Sequence, residues 1–125
     1  MSIPVALDDL QAATSDYGWA YLLTVSDDQT PHIVAVTPVW DGDALRMEGG
    51  RRTAGNASER TSISLCYPPT EAGGYSLIVD GVATVDAPTI RVAPSGAVLH
   101  RPATPGSEGS VTGCASDCAP IPTAD

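Results

Sequence analysis

Lysine and phenylalanine are both absent from this chain, and positive charge is scarce: six arginines stand against 15 aspartates and glutamates, for a formal charge of -9. A surface so acidic repels polyanions, so neither nucleic acid nor an anionic membrane is expected as a partner. Long apolar runs are missing too, and none approaches the roughly 20 residues that a membrane-spanning helix needs. The start, Met1-Ser2-Ile3-Pro4, lacks the basic flank and apolar core of a secretory signal. Cysteine is limited to three residues, an odd number that does not make the framework of a small secreted domain. Together these absences point to a cytoplasmic protein. With two histidines, neither set in a partner pattern, no Ser-His-Asp or Cys-His arrangement can be argued.

What is present is a chain of 125 residues, 42% of them hydrophobic, enough for one folded core. Val5, Leu7, Leu10 and Ala13 share one helical face, and Pro4 suits a first turn, which predicts a short helix over 5 to 15. Apolar stretches then recur between turn signals: 17 to 25, 32 to 40, 44 to 48, 62 to 67, 75 to 86 and 89 to about 99. Asp80-Gly81 and Pro94-Ser95-Gly96 mark a bend or bulge in the last two. A small polar segment at 53 to 60 suits a two-turn helix. The fold class expected is mainly β, a six-stranded antiparallel barrel with short helices at its edge.

The barrel domain is expected over 1 to 102. Residues 103 to 125 form a tail rich in Pro, Gly and Ser that carries Cys114 and Cys118. Two thiols and an aspartate fall short of the four ligands of a structural zinc, so no metal site is expected; a redox-sensitive pair or a plain tail remain open. Cys66, between Leu65 and Tyr67, reads as a small buried hydrophobe. Trp19, Tyr21 and Trp40 read as core or dimer packing.

Against this acidic background, four of the six arginines fall between Arg46 and Arg60. The centre of that island is Gly49-Gly50-Arg51-Arg52-Thr53-Ala54-Gly55-Asn56. Paired glycines let the backbone approach a ligand, and guanidinium forks match phosphate oxygens two at a time, so a small phosphorylated molecule is the expected occupant. If Arg51 and Arg52 continue a strand, their side chains alternate faces: one reaches the anion, the other solvent or an acidic neighbour. Asn56 either fixes the short helix to the sheet or touches the ligand. Arg60 is expected near the helix C-terminus, where the backbone dipole favours a cation.

The order of a helix, three meandering strands, Gly-Gly-Arg-Arg-Thr, a short helix with Asn56 and then Ser62-Ile63-Ser64-Leu65 resembles the flavin-binding split-barrel family, whose best-known member is pyridoxamine 5'-phosphate oxidase. The resemblance spans roughly residues 5 to 101. That family carries a Ser-Arg-Lys-x-x-Asn segment; here Arg52 takes the arginine position, Thr53 the lysine, Arg51 the serine and Asn56 the asparagine.

The resemblance implies a split barrel that binds FMN, or the deazaflavin of actinobacterial members, and acts as an oxidoreductase on a small-molecule substrate. It also implies a homodimer with cofactor sites at the subunit interface. Arg51, Arg52 and Thr53 would hold the phosphate with support from Asn56, and Thr37, Pro38 and Val39 would lie near the isoalloxazine edge. The tail has no basic cluster for a second phosphate, which argues against pyridoxamine phosphate as substrate. Haem-binding relatives share the barrel, and a non-catalytic dimeric binding module is the third alternative.

Overall fold

Period-two alternation of burial shapes the sheet. In β2 (Ala20–Val25) the side chains of Ala20, Leu22 and Thr24 turn inward while Tyr21 and Leu23 face out. In β6 (Ser62–Tyr67) Ile63, Leu65 and Tyr67 are buried, which sends Ser64 and Cys66 to the outer face. The computed structural model describes residues 1 to 103. Besides β2 and β6 it contains β1 (Ser2–Pro4), α1 (Leu7–Thr14), β3 (Pro31–Val36), β4 (Val39–Asp41), β5 (Ala44–Glu48), α2 (Arg51–Glu59), β7 (Ser76–Asp86) and β8 (Thr89–His100).

The strands form one antiparallel sheet in the order β3-β2-β6-β7-β8-β5-β4, with β1 added along β8. Leu22 of β2 and Leu45 and Met47 of β5, well separated in that order, belong to one buried cluster with Leu65, Leu77, Val79, Ile90 and Val92. The sheet therefore curls around a shared core as a split barrel, and Leu10 of α1 joins the same cluster. Trp40 anchors α1 further, its indole nitrogen donating to Thr14 Oγ1 at 2.8 Å. Tyr67 packs edge-on against Tyr17 with ring centroids 5.7 Å apart, and burial pushes its phenol up to about 12.

The expected barrel is present with eight strands in place of six. Pro38 has no N–H to give a ladder, so the stretch expected over 32 to 40 divides into β3 and β4 around Thr37-Pro38. Residues 2 to 4 pair with β8 as β1, and α1 begins only at Leu7. Cys66 is half-buried on the outer face, correcting the expectation of a core position. Cys114 and Cys118 lie outside the described residues.

Gly81 is the residue on which the β7–β8 ribbon turns. The register shifts there, from Asp80 opposite Gly96 to Gly81 opposite Pro94. A Cβ at Gly81 would stand 2.6 Å from Val92 Cγ1 and 2.7 Å from the carbonyl oxygen of Ala93, closer than side-chain atoms pack. Gly81→Ala is expected to cost about 1–3 kcal/mol through this overpacking, seen as a lower denaturant midpoint. Gly18→Ala, where nothing lies within 4 Å of the added carbon, serves as the control.

Candidate functional site

Small side chains bring α2 onto the sheet. Thr53, Ala54, Asn56 and Ala57 are its buried face, and the helix packs against β2, β7 and β8. Gly49 permits the close approach: a Cβ there would meet Ile90 Cδ1 at 2.8 Å and Thr53 Cγ2 at 3.1 Å. Asn56 Nδ2 donates to Thr24 Oγ1 at 3.1 Å, a buried bond that ties the helix to β2. At the other end Arg60 donates from Nε to the Val25 carbonyl at 2.6 Å and pairs with Asp27 at 2.7 Å, clasping α2 to the β2–β3 turn.

The helix begins two residues earlier than the composition suggests, so Arg51 and Arg52 form its first turn and do not extend β5. Their side chains consequently diverge by the helical step of about 100°. Gly50 is the N-cap, with an extended backbone and no side chain to accept from the first-turn amides. Those N–H groups and the positive end of the helix dipole favour an anion at this end. No acidic residue occupies the first turn.

The six arginines fall into two groups. Arg46 and Arg91 sit directly opposite each other on β5 and β8, and Asp41 bridges them, in contact with Arg91 and 3.7 Å from Arg46 Nε. Arg60 is held by Asp27, and Arg101 lies 4.5 Å from the centroid of the Tyr75 ring. Arg51 and Arg52 are exposed and make no ion pair or side-chain hydrogen bond among the described residues. Within the island, then, these are the two guanidinium groups left unpaired by the described residues.

They open onto different hollows. Arg51 lines a groove of about 450 Å³ between α2 and the β7–β8 turn, walled by Gly49, Gly50, Gly55, Val85 and Pro88. The Gly49 N–H donates to the Pro88 carbonyl at 3.0 Å and fixes that wall against the helix. Among the described residues no carboxylate lines this groove. Arg52 lines a pocket of about 460 Å³ on the other side, where the β2–β3 turn contributes Asp27, Asp28, Thr30 and His32 and the helix contributes Asn56. Hydrogen bonds from Ser26 and Thr30 hold the Asp28 carboxyl below its ordinary value.

Of the residues singled out in the sequence, Arg51, Arg52, Thr53 and Asn56 all lie on α2, but in different settings. Thr53 is only 2% exposed and turned into the packing against Gly49. Asn56 is 6% exposed, fixed to Thr24 and at the edge of the Arg52 pocket. Thr37, Pro38 and Val39 line neither hollow. Thr37 is five residues along from His32, which lines the Arg52 pocket; at strand spacing that is about 17 Å. Val39 instead pairs with Arg46. The wall made by Val85 and Pro88 was missed in the sequence, where Asp86-Ala87-Pro88-Thr89 signals only a turn.

No protein-family model matches the chain. Two mycobacterial proteins do, an uncharacterized protein of Mycobacterium bovis and one of Mycobacterium tuberculosis. Each is 41% identical over 131 aligned positions that cover 91% of this chain and 92% of the relative. Among solved structures, the FAD binding protein of Mycobacterium smegmatis superposes with a TM-score of 0.62 at 16% identity, covering 81% of this chain and 100% of that one. A Listeria innocua protein provisionally assigned as a pyridoxamine 5'-phosphate oxidase gives 0.61 at 17%, covering 74% and 96%. An F420 reductase gives 0.53 at 19%, covering 63% and 87%. At these identities the superpositions establish the shared split-barrel fold.

Proposed function

The chain belongs to the same family as the two mycobacterial proteins, and on that premise we propose that it binds a phosphorylated flavin-type cofactor, FMN or a deazaflavin, and acts as an oxidoreductase on a small molecule. One observation carries the reading: Arg51, without an ion pair among the described residues of a chain of net charge -9, stands at a helix N-terminus that has no side-chain cap, over a groove lined by Gly49, Gly50 and Gly55. A phosphate suits that donor set, because a guanidinium and the first-turn amides lie at one helix end beside a groove that no carboxylate lines among the described residues. The apolar wall of Val85 and Pro88 suits the uncharged part of such a molecule. The names of two structural neighbours, an FAD binding protein and an F420 reductase, agree with the same ligand class.

On this reading Arg51 and the first-turn amides hold the phosphate, while Thr53 and Asn56 seat the helix that presents them. A bound flavin or deazaflavin supplies hydride chemistry, and the protein contributes orientation and electrostatics. Haem gains no support from the groove, since His32 lies in the other pocket and His100 is bonded to Ser2 Oγ at 3.0 Å.

The cofactor reading brings with it a homodimer, and the outer face of β2 and β3 supports one. Trp19, Tyr21, Leu23 and Ile33 are 42%, 38%, 37% and 56% exposed there. Pairing across the sheet extends the patch, with Leu23 opposite Ile33 and Tyr21 opposite both Ala35 and Cys66. None of these side chains is charged, which is how a protein of this acidity can meet its own copy. Thr37, Pro38 and Val39 stand apart from the groove within one chain, so on this reading they would approach a cofactor from the second copy.

Two measurements test these statements. In fluorescence titrations Arg51→Ala is expected to weaken FMN binding about 10- to 100-fold, the loss of one charge-assisted contact, while leaving riboflavin affinity unchanged. Wild-type protein that binds neither FMN nor a deazaflavin would remove the cofactor reading in favour of a binding module. In sedimentation velocity the wild type is expected to run as a dimer and Leu23→Glu as a folded monomer. A wild type that is monomeric at tens of micromolar contradicts the dimer.

A further inference from the structure

The pocket on the Arg52 side of α2 has a charge pattern of its own. Arg52 and Asp28 both line it, and among the described residues neither forms an ion pair, although Asp28 is braced by hydrogen bonds from Ser26 and Thr30. The two share the pocket yet form no ion pair with each other. Asp27, beside them, is already neutralised by Arg60 at 2.7 Å. Asn56 donates from its amide nitrogen to Thr24; its carbonyl oxygen accepts no hydrogen bond among the described residues and is open to solvent at the pocket.

A hollow of about 460 Å³ thus presents a fork of donors and a carboxylate, neither in an ion pair among the described residues, and at its edge the open carbonyl oxygen of Asn56. A simple anion would bind Arg52 but meet the Asp28 charge, and a simple cation would meet the reverse. The complement is a molecule that carries both charges. We propose that this pocket binds a free α-amino acid as its zwitterion, with the carboxylate on the Arg52 guanidinium and the ammonium shared between the Asp28 carboxylate and the Asn56 carbonyl oxygen. The site lies across the helix from the Arg51 groove and does not depend on the cofactor reading.

Titration calorimetry on the full chain tests this with leucine as the probe, beside leucinamide, which lacks the carboxylate, and 4-methylpentanoate, which lacks the ammonium. Saturable binding of leucine is expected, with both analogues at least tenfold weaker. Arg52→Ala and Asp28→Asn should each lose tenfold or more of the leucine affinity. Both side chains are exposed, and the amide introduced by Asp28→Asn would retain an acceptor for Ser26 and Thr30, so both variants are expected to fold. Arg51→Ala should bind leucine as the wild type does. The proposal is overturned if leucine does not bind, if 4-methylpentanoate binds equally well, or if Arg52→Ala leaves leucine affinity unchanged. Because the cofactor titration reads Arg51 and this one reads Arg52 and Asp28, either can fail while the other stands.

Discussion

The seating of α2 on the sheet is the constraint from which the rest of the site follows. Its contact face is built from Thr53, Ala54, Asn56 and Ala57, none larger than asparagine, so the helix lies close to the strands. The bond from Asn56 to Thr24 fixes its rotation, and the clasp from Arg60 to Val25 and Asp27 fixes its far end. Gly49 lets the chain pass from β5 into the helix where any Cβ would strike Ile90. A buried polar pair costs stability when half of it is removed, so Asn56 and Thr24 specify orientation more strongly than an apolar contact of the same size. With rotation fixed, Arg51 and Arg52 are delivered to different hollows from one helical turn.

Charge distribution then separates the arginines by role. Like charges directly across a strand pair repel, and Arg46 and Arg91 are tolerated because Asp41 lies between them. Such exposed pairs contribute little stability; their consequence is that those cations are spoken for. Arg51 and Arg52 differ because their neighbours in the first turn are uncharged and the N-cap has no side chain. An acidic protein thereby keeps two cations outside any ion pair of the described residues, one over glycine backbone and one sharing its pocket with carboxylates.

Much of this was legible in the sequence because it rests on local rules. The alternation in Ser62–Tyr67 and the bend at Asp80-Gly81 each encode their own geometry, and the arginine island is visible by counting. The family resemblance rested on Gly-Gly-Arg-Arg-Thr and Asn56, and the split barrel it implied is the fold observed. What could not be read is whatever depends on helix phase or on distant strands. Whether Arg51 belongs to the end of β5 or the start of α2 is a matter of one turn, and the difference decides which hollow each guanidinium enters. The extra strands follow from Pro38 interrupting a ladder and from residues 2 to 4 finding β8 nearly a hundred positions away. The groove wall at Val85 and Pro88 is likewise a tertiary event, invisible in a segment that reads only as a turn.

The central claim is that the first turn of α2 and the β7–β8 turn together make the cofactor-phosphate groove. Backbone amide shift mapping of the uniformly ¹⁵N-labelled protein during FMN titration tests it most directly. The largest perturbations are expected at Gly49, Gly50, Arg51 and Arg52 and at the Ala87 wall, with inorganic phosphate reproducing those of the first turn. Perturbations centred elsewhere, with these amides unmoved, would contradict it.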